Sequence, residues 1–192
     1  MRNIAIFASG SGTNAENIIK YFSNKNTAKV SLVLSNKRQA MVLKRAEENN
    51  IRTVFFEHKE FYVTGKVLRY LLLYKIDFIV LAGFLWLVPE NILEQFAGRI
   101  INIHPALLPS YGGKGMYGEA VHKAVLENKD KESGITVHLV NKEYDKGEHL
   151  LQIRCPVYPD DSPETLAERI HDLEHKYFPM AIDDFLKRDA LK

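Results

Sequence analysis

Short apolar runs alternate with longer mixed segments through the first hundred residues, and this alternation restricts the fold more than any other feature. Strands joined by helices at this spacing run parallel through right-handed crossovers. We therefore expect an α/β protein with an open, mostly parallel twisted sheet and helices on both faces. The predicted strands are residues 3–8, 30–34, 53–56, 78–82 and 100–103, and the predicted helices are 14–23, 39–49, 59–74 and 89–96.

A different pattern begins after residue 130. Residues 134–140 and 150–157 alternate apolar with polar positions, which predicts two half-exposed strands around a turn at 143–147. Residues 162–186 predict a last helix, with Ser162 as its N-cap. The fold class is thus Rossmann-like, with antiparallel strands in the C-terminal part.

The composition narrows the partners that we expect. At a net charge of +2, with Lys and Arg interleaved with Asp and Glu, the chain predicts no face for nucleic acid. The longest apolar run, residues 78–88, is about half of a membrane span, so no membrane partner is expected. The single cysteine, Cys155, argues against an internal disulfide or a multi-cysteine zinc site and favours a cytoplasmic location. Without a visible repeat or linker, residues 1–192 predict one domain.

A glycine-rich segment, Ser-Gly-Ser-Gly-Thr-Asn at residues 9–14, joins the first predicted strand to the first predicted helix. Its glycines allow close backbone approach, and a helix N-terminus offers unpaired N–H groups, so the segment could bind a phosphate. It lacks the lysine of a P-loop and the third glycine of the dinucleotide fingerprint. A tight turn that caps a helix remains the alternative reading.

Asn102 and His104 end the fifth predicted strand, at the edge where such sheets bind ligands. Residues two apart share a face of a strand, so the two side chains should lie together. An amide can donate to a developing oxyanion, and an imidazole can move a proton near neutral pH. The alternative is that both satisfy backbone groups of a loop.

Three further titratable groups stand out in the C-terminal part. Asp145 could orient His104 and raise its pKa, although an Asp before Lys-Gly is more often a turn former. Glu174 follows His171 by three residues and could hold a substrate ammonium, or be an exposed helix charge. His171 and His175 have a metal-ligand spacing, but no third ligand is evident and no metal is expected.

Several of these segments recur together in one known group of enzymes. The matching segments are residues 6–14, 34–37, 80–84, 101–109, 134–138 and 144–147. Over essentially the whole chain they resemble the phosphoribosylglycinamide formyltransferase family, the folate-dependent enzymes of purine synthesis. The wider formyltransferase superfamily shares Asn-x-His-Pro-x-x-Leu-Pro, and the glycine segment points to this member.

The resemblance implies a role for each matching position. Asn102, His104 and Asp145 would be the catalytic group, and Glu174 would meet the glycinamide amine. The substrate phosphate and ribose would contact Gly10, Ser11, Gly12, Thr13 and Asn14. The pterin ring would lie against the backbone near Leu85, Trp86, Leu87, Val88, Val140 and Asn141. Trp86 stands where the family often has arginine.

The resemblance also implies the reaction and its partners. Residues 1–100 would form the phosphate-binding half, and residues 101–192 the catalytic and folate-binding half. The cosubstrate would be 10-formyltetrahydrofolate and the acceptor glycinamide ribonucleotide, in a monomer or homodimer without metal. A protonated His104 and Asn102 would stabilise the oxyanion while Asp145 positions a water. The alternatives are a formyltetrahydrofolate hydrolase, a sugar-nucleotide N-formyltransferase and a non-catalytic binding module.

Overall fold

The structure, a computed structural model, describes residues 1–189 and contains a central sheet of seven strands. The five apolar runs form strands, as predicted, and most of their side chains are buried between layers of helices. The two alternating segments near the C-terminus also form strands, as predicted. The strands are β1 (Arg2–Phe7), β2 (Ala28–Ser35), β3 (Arg52–Phe55), β4 (Phe78–Leu81), β5 (Ile100–His104), β6 (Glu132–Leu139) and β7 (His149–Pro156).

The strand order of the sheet is β3-β2-β1-β4-β5-β6-β7. Strands β1 to β5 pair in parallel, and β6 and β7 continue the sheet as antiparallel strands. The order reverses between β1 and β4, because the chain builds outward through β2 and β3 and then returns to the other side of β1. The predicted fold class is confirmed, and the reversal marks the edge where such sheets bind ligands.

Two features of the helices differ from the sequence prediction. A single helix over residues 59–74 is wrong, because Gly65 adopts a φ of 63° and the chain forms two helices on either side of residues 63–65. One helix, after a glycine-rich loop at 112–118, was not predicted. The helices are α1 (Thr13–Ser23), α2 (Met41–Glu48), α3 (His58–Tyr62), α4 (Lys66–Leu73), α5 (Glu90–Gln95), α6 (Glu119–Glu127) and α7 (Pro163–Asp189).

The helices bury both faces of the sheet. One face packs against α1, α2, α6 and α7, with Phe22, Val125 and Phe178 among the buried side chains. The other face packs against α3, α4 and α5, where Phe61 and Leu71 are buried. None of the helices in residues 1–189 is long and apolar enough to cross a membrane.

The pairing of β5 with β6 determines which side chains meet at the carboxyl end of β5. Its register places Asn102 opposite His138 and His104 opposite Thr136. The buried Thr136 hydroxyl accepts a hydrogen bond from the Leu108 N–H at 3.0 Å. This bond ties the loop after β5 to β6, so the end of β5 has a fixed position.

Candidate active site

A cavity of about 720 Å³ opens at the carboxyl edge of the sheet, beside the reversal between β1 and β4. Its size is typical of sites for small molecules. The loops after β1, β4 and β5 form much of the wall, and α6, α7 and the β6–β7 turn complete it. The lining comprises residues 9–14, 81–88, 102–105, 113–119, 143–145 and 163–164, with His122, His138, Val140, Ala167, His171 and Glu174.

Asn102, His104 and Asp145 lie together in this cavity. Asp145 Oδ2 is 3.6 Å from His104 Nδ1, and Asp145 Oδ1 is 3.5 Å from Asn102 Nδ2. The second ring nitrogen of His104, Nε2, lies 2.8 Å from the carbonyl oxygen of Tyr111. Because a carbonyl only accepts, Nε2 carries the hydrogen of the neutral ring and Nδ1 faces the carboxylate. A proton added to His104 therefore enters between the ring and Asp145.

A second buried histidine, His138, belongs to the same cluster. Its Nε2 lies 3.1 Å from Asn102 Nδ2 and 3.5 Å from Asp145 Oδ1. Its Nδ1 lies 2.8 Å from the Leu139 carbonyl oxygen, so Nδ1 donates and Nε2 accepts from the amide of Asn102. The sequence alone assigns His138 no role, although the antiparallel pairing of its strand with β5 would have placed it beside Asn102.

Burial and neighbouring groups act in opposite directions on the pKa values of this cluster. Burial lowers the pKa of His104 below the ordinary histidine value, although Asp145 and the Tyr111 carbonyl act to raise it. Burial raises the pKa of Asp145, but the neighbouring His138 and His104 rings and the hydrogen bond from the Gly113 N–H outweigh it, and the net pKa is lowered. Near neutral pH these shifts favour an ionised Asp145 and a neutral His104 in the free cavity, whereas the sequence hypothesis places a protonated His104 beside the oxyanion of the reaction.

The β6–β7 turn brings Asp145 back onto the end of β5. Asp145 adopts a φ of 55°, and the Gly113 N–H donates to its Oδ2 at 2.9 Å. Gly147 approaches β6 so closely that an added Cβ would lie 1.6 Å from the Leu139 carbonyl oxygen. Only glycine fits this position, so Gly147 is required for the turn that places the carboxylate.

The glycine-rich segment forms the wall between β1 and α1. Gly12 has a φ of 78°, and an added Cβ would lie 2.5 Å from the Val42 side chain on α2. Arg45 Nε, also on α2, donates to the Ser11 carbonyl oxygen at 3.0 Å. The segment ends at the N-terminus of α1, where the first N–H groups have no partner within the helix and the helix dipole is positive. The arrangement suits an anion.

Glu174 on α7 contacts this segment from the opposite wall. Its Oε2 accepts hydrogen bonds from Asn14 Nδ2 at 2.8 Å and from His171 Nδ1 at 2.9 Å. The contact with the Glu174 carboxylate raises the pKa of His171. Glu174 is only 5% exposed, so it is a buried carboxylate of the cavity and not an exposed helix charge.

His171 and His175 on α7 each contact neighbouring groups of the protein. His171 is hydrogen-bonded to Glu174, and its ring lies 6.4 Å from the ring of His175. The carbonyl oxygen of His175 accepts a hydrogen bond from Asn17 Nδ2 at 2.6 Å. Over residues 1–189, no group of three or more His, Cys, Asp and Glu side chains is arranged to hold a metal ion.

The residues that the resemblance assigned to folate fall into two groups. Leu85, Trp86, Leu87, Val88 and Val140 line the cavity. Tyr62 Oη donates to the Leu87 carbonyl oxygen at 2.8 Å, and the Trp86 ring lies 5.4 Å from the ring of His58. Asn141 does not line the cavity, because its side chain accepts from the Glu143 N–H and donates to the Lys146 carbonyl oxygen within the turn.

Two parts of the cavity wall could not be predicted as parts of a site from the sequence alone. The loop at 112–118 has positive φ values at Gly113 and Gly115, and it precedes the unpredicted helix α6. His122 on α6 is 3% exposed and lines the cavity. A lone histidine at helical spacing among apolar residues has the pattern of a core position, so the sequence did not mark it.

The fold and the cavity together define an α/β enzyme that acts on small molecules. The family described as formyl transferase matches residues 2–182, which is most of the chain. The chain therefore belongs to the formyl transferase family.

The similar proteins include several formyl transferases that share one name. The chain is 40% identical, over 92% of its length, to the chloroplastic phosphoribosylglycinamide formyltransferase of Arabidopsis thaliana, and it spans 63% of that relative. It is 38% identical, over 96% of its length, to the phosphoribosylglycinamide formyltransferase of Haemophilus influenzae, and it spans 87% of that chain. The crystal structure of the Bacillus halodurans phosphoribosylglycinamide formyltransferase superposes with a TM-score of 0.87 at 32% identity, covering 96% of this chain and 95% of the other.

Proposed function

We propose that this chain transfers the formyl group of 10-formyltetrahydrofolate to the amine of 5'-phosphoribosylglycinamide. The products are formylglycinamide ribonucleotide and tetrahydrofolate, in de novo purine synthesis. The observation that carries the proposal is one cavity with two chemically distinct walls. Asn102, His104 and Asp145 supply polar groups for acyl transfer, and the segment at 9–14 supplies an anion site. The similarity to proteins named phosphoribosylglycinamide formyltransferase supports this assignment.

In the reaction, the amine attacks the formyl carbon and negative charge develops on the formyl oxygen. Asn102 Nδ2 has two hydrogens; one bonds His138, and the other, which makes only a long contact of 3.5 Å with Asp145 Oδ1, can turn to donate to that oxygen. His104 is neutral before the reaction, because burial lowers its pKa, so its Nδ1 can take up the proton that the attacking amine loses as the oxyanion develops. Asp145 then stabilises the imidazolium and positions a water through which the ring passes that proton to the leaving nitrogen.

The acceptor occupies the wall formed by the glycine-rich segment and α7. Its phosphate binds the N–H groups at the start of α1, near Gly10 and Gly12, which replace the missing P-loop lysine. Glu174 Oε2 is already bonded to Asn14 and His171, so its other oxygen accepts from the substrate amine. This arrangement directs the amine toward the catalytic residues.

The cosubstrate occupies the wall formed by residues 85–88 and Val140, which is largely apolar and suits an aromatic ring system. Trp86 is the only tryptophan in the chain, so its fluorescence reports on this wall alone. Saturating 10-formyltetrahydrofolate should change its emission, whereas glycinamide ribonucleotide should leave it nearly unchanged. If saturating folate leaves the emission of Trp86 unchanged, the cosubstrate does not bind at this wall.

We also propose roles for the two halves of the chain, residues 1–100 and 101–192, that differ slightly from those expected from the resemblance. Residues 1–100 supply the phosphate segment but also residues 85–88, so folate contacts come from both halves. Action in the cytoplasm is likewise proposed, and the assembly as a monomer or homodimer stays a prediction. A hydrolase or a sugar-nucleotide formyltransferase is not favoured, because the similar proteins are phosphoribosylglycinamide formyltransferases.

The experiment that tests the proposal measures release of tetrahydrofolate from 10-formyltetrahydrofolate, with and without glycinamide ribonucleotide. Release that requires the ribonucleotide supports the transferase and its acceptor. Equal release without it would make the protein a hydrolase. A protein that forms no product with glycinamide ribonucleotide but formylates a sugar nucleotide would instead be a sugar-nucleotide N-formyltransferase.

A further inference from the structure

His122 is a buried histidine of the cavity that the mechanism above does not use. It lies on α6 with only 3% of its surface exposed, and its Nδ1 is enclosed without a hydrogen-bond partner. His104 and His138, the other buried histidines of the cavity, each bond a backbone carbonyl oxygen through one ring nitrogen. His122 therefore has an unsatisfied polar group where its two neighbours do not.

A second unsatisfied atom lies in the same cavity. Within residues 1–189, three buried side-chain polar atoms have no partner, and two of them, Asn14 Oδ1 and His122 Nδ1, belong to residues of the cavity wall. Buried polar groups in folded proteins nearly always have partners, because leaving one unpaired is costly. Neither atom has surface that a ligand can reach, so any contact of His122 with a ligand must use its other ring nitrogen, Nε2.

The neighbours of His122 locate it along the cavity. The charges of His171 and Glu174 act on it from the acceptor wall, and His104 acts on it from the catalytic group. Burial lowers the pKa of His122 below the ordinary histidine value, so its ring is neutral near pH 7 and carries one N–H. His122 thus stands between the anion site and the reacting centre.

The enclosure of Nδ1 decides which nitrogen carries that hydrogen. A buried N–H without an acceptor is rarer in proteins than an acceptor that lacks a donor. The neutral ring therefore keeps its hydrogen on Nε2, which leaves Nε2–H as the donor that His122 can offer a ligand.

We propose that His122 is a positioning residue for the acceptor, and that its Nε2–H donates a hydrogen bond to the amide carbonyl oxygen of the glycinamide group. The inference rests on the proposed function, since it names how that site recognises its substrate. The amide carbonyl oxygen of the substrate lies between its phosphoribose and its amine, as His122 lies between the anion site and the catalytic group. The bond would orient the amide so that the amine beyond it points at the formyl carbon.

Three variants of His122 separate this role from simple packing. A glutamine amide reaches roughly the position of Nε2, an asparagine amide reaches roughly that of Nδ1, and leucine offers no polar group. We expect His122→Leu and His122→Asn to raise the KM for glycinamide ribonucleotide by about tenfold, the loss of one hydrogen bond. His122→Gln should stay within about threefold of the parent, and no variant should move the KM for 10-formyltetrahydrofolate more than about twofold.

Steady-state kinetics with each substrate varied in turn gives these constants, and His175→Gln, an exposed change outside the cavity, is the matched control. Parent enzyme that fails to release tetrahydrofolate would defeat the proposed function and this inference with it, whereas an active parent with unaffected variants would defeat this inference alone. If His122→Leu does not fold, the contrast between glutamine and asparagine still decides. The inference is overturned if His122→Asn equals the parent while His122→Gln does not, or if all variants keep the parent KM for the ribonucleotide.

Discussion

Asp183 is a buried carboxylate and Asp145 a largely buried one, and both have lowered pKa values, but their partners differ in kind. Asp183 on α7 accepts from the Thr27 hydroxyl at 2.9 Å and forms an ion pair with Lys187 Nζ at 2.9 Å. Asp145 faces His104 Nδ1 at 3.6 Å and His138 Nε2 at 3.5 Å. One carboxylate has a permanent cation, and the other has imidazoles.

The difference in partners separates structure from chemistry. A lysine keeps its charge well above neutral pH, so Asp183 ties α7 to the segment that joins α1 to β2 without taking part in a reaction. Imidazoles change charge near neutral pH, so the environment of Asp145 can respond when charge develops on a ligand. In both cases burial raises the pKa and the partners outweigh it. A lowered carboxylate pKa alone would not have told the two apart.

The largest expected effect is on activity, at the carboxylate of the cavity. Asp145→Asn keeps the shape of the side chain but removes the charge that stabilises protonated His104. We expect kcat/KM to fall by about 10³ or more, with a melting temperature close to that of the parent. Steady-state kinetics and thermal melts measure the two quantities. Near-parent turnover would remove Asp145 from the catalytic group.

A somewhat smaller loss is expected at the oxyanion donor beside it. Asn102→Ala removes the Nδ2 group that bonds His138 and points at Asp145. Loss of a single oxyanion donor reduces kcat by about 10²–10³. Single-turnover rates with both substrates saturating measure this step, and a rate within a few fold of the parent would contradict the assignment.

At the structural carboxylate the effect should appear in stability. Asp183→Ala removes the partner of Thr27 Oγ1 and Lys187 Nζ, and leaves the hydroxyl without its acceptor. The free energy of unfolding should fall by about 2–3 kcal/mol, as is typical for hydrogen bonds to charged groups. Urea titration gives the stability, and kcat per folded molecule should stay within twofold. A large loss of kcat in fully folded protein would mean that the two carboxylates are not distinct.

The smallest expected effect is a dependence of stability on pH that comes from the histidines of the cavity and not from Asp145 or Asp183. Burial lowers the pKa of His104 and of His122 below 6.5, so the unfolded chain binds protons more readily than the folded chain. Their contribution is complete above about pH 6.5 and is lost as the pH falls toward the folded pKa values. The contributions of Asp145 and Asp183 persist until the pH falls below their unfolded value of 3.8.

Urea midpoints at pH 7 and pH 5.5 test this difference. The parent should lose stability between them, because the lowered pKa values of His104 and His122 outweigh the raised pKa of His171, which acts in the opposite direction. His122→Gln should lose less, because one buried histidine is gone. Asp183→Ala serves as the control and should lose as much as the parent. An unchanged loss in His122→Gln would show that His122 is not buried as a neutral ring.

The sequence predicted the sheet well, because apolar runs of the right length report burial on both faces directly. It missed the break at Gly65, since apolar spacing continues through Leu68 and a single glycine is tolerated within many helices. It also missed α6, whose short apolar face follows a loop with four glycines at 112–118.

The residues of the site were likewise predictable only in part. Asn102 and His104 follow from strand spacing, because both lie on one short element. Asp145 and Glu174 were assigned by resemblance, since nothing local shows that a turn and a distant helix meet β5 and α1. His138 and His122 gave no such signal, because their importance depends on the antiparallel register and on an unsatisfied atom.

The measurement that decides between transfer and hydrolysis uses 10-formyltetrahydrofolate labelled with carbon-13 in its formyl group, together with glycinamide ribonucleotide. Mass spectrometry then follows the label in the parent protein and in Asp145→Asn. We predict that the parent moves the label into formylglycinamide ribonucleotide and that Asp145→Asn moves almost none in the same time. Label recovered as formate with the ribonucleotide unchanged would contradict the formyl transfer on which this description of the cavity depends.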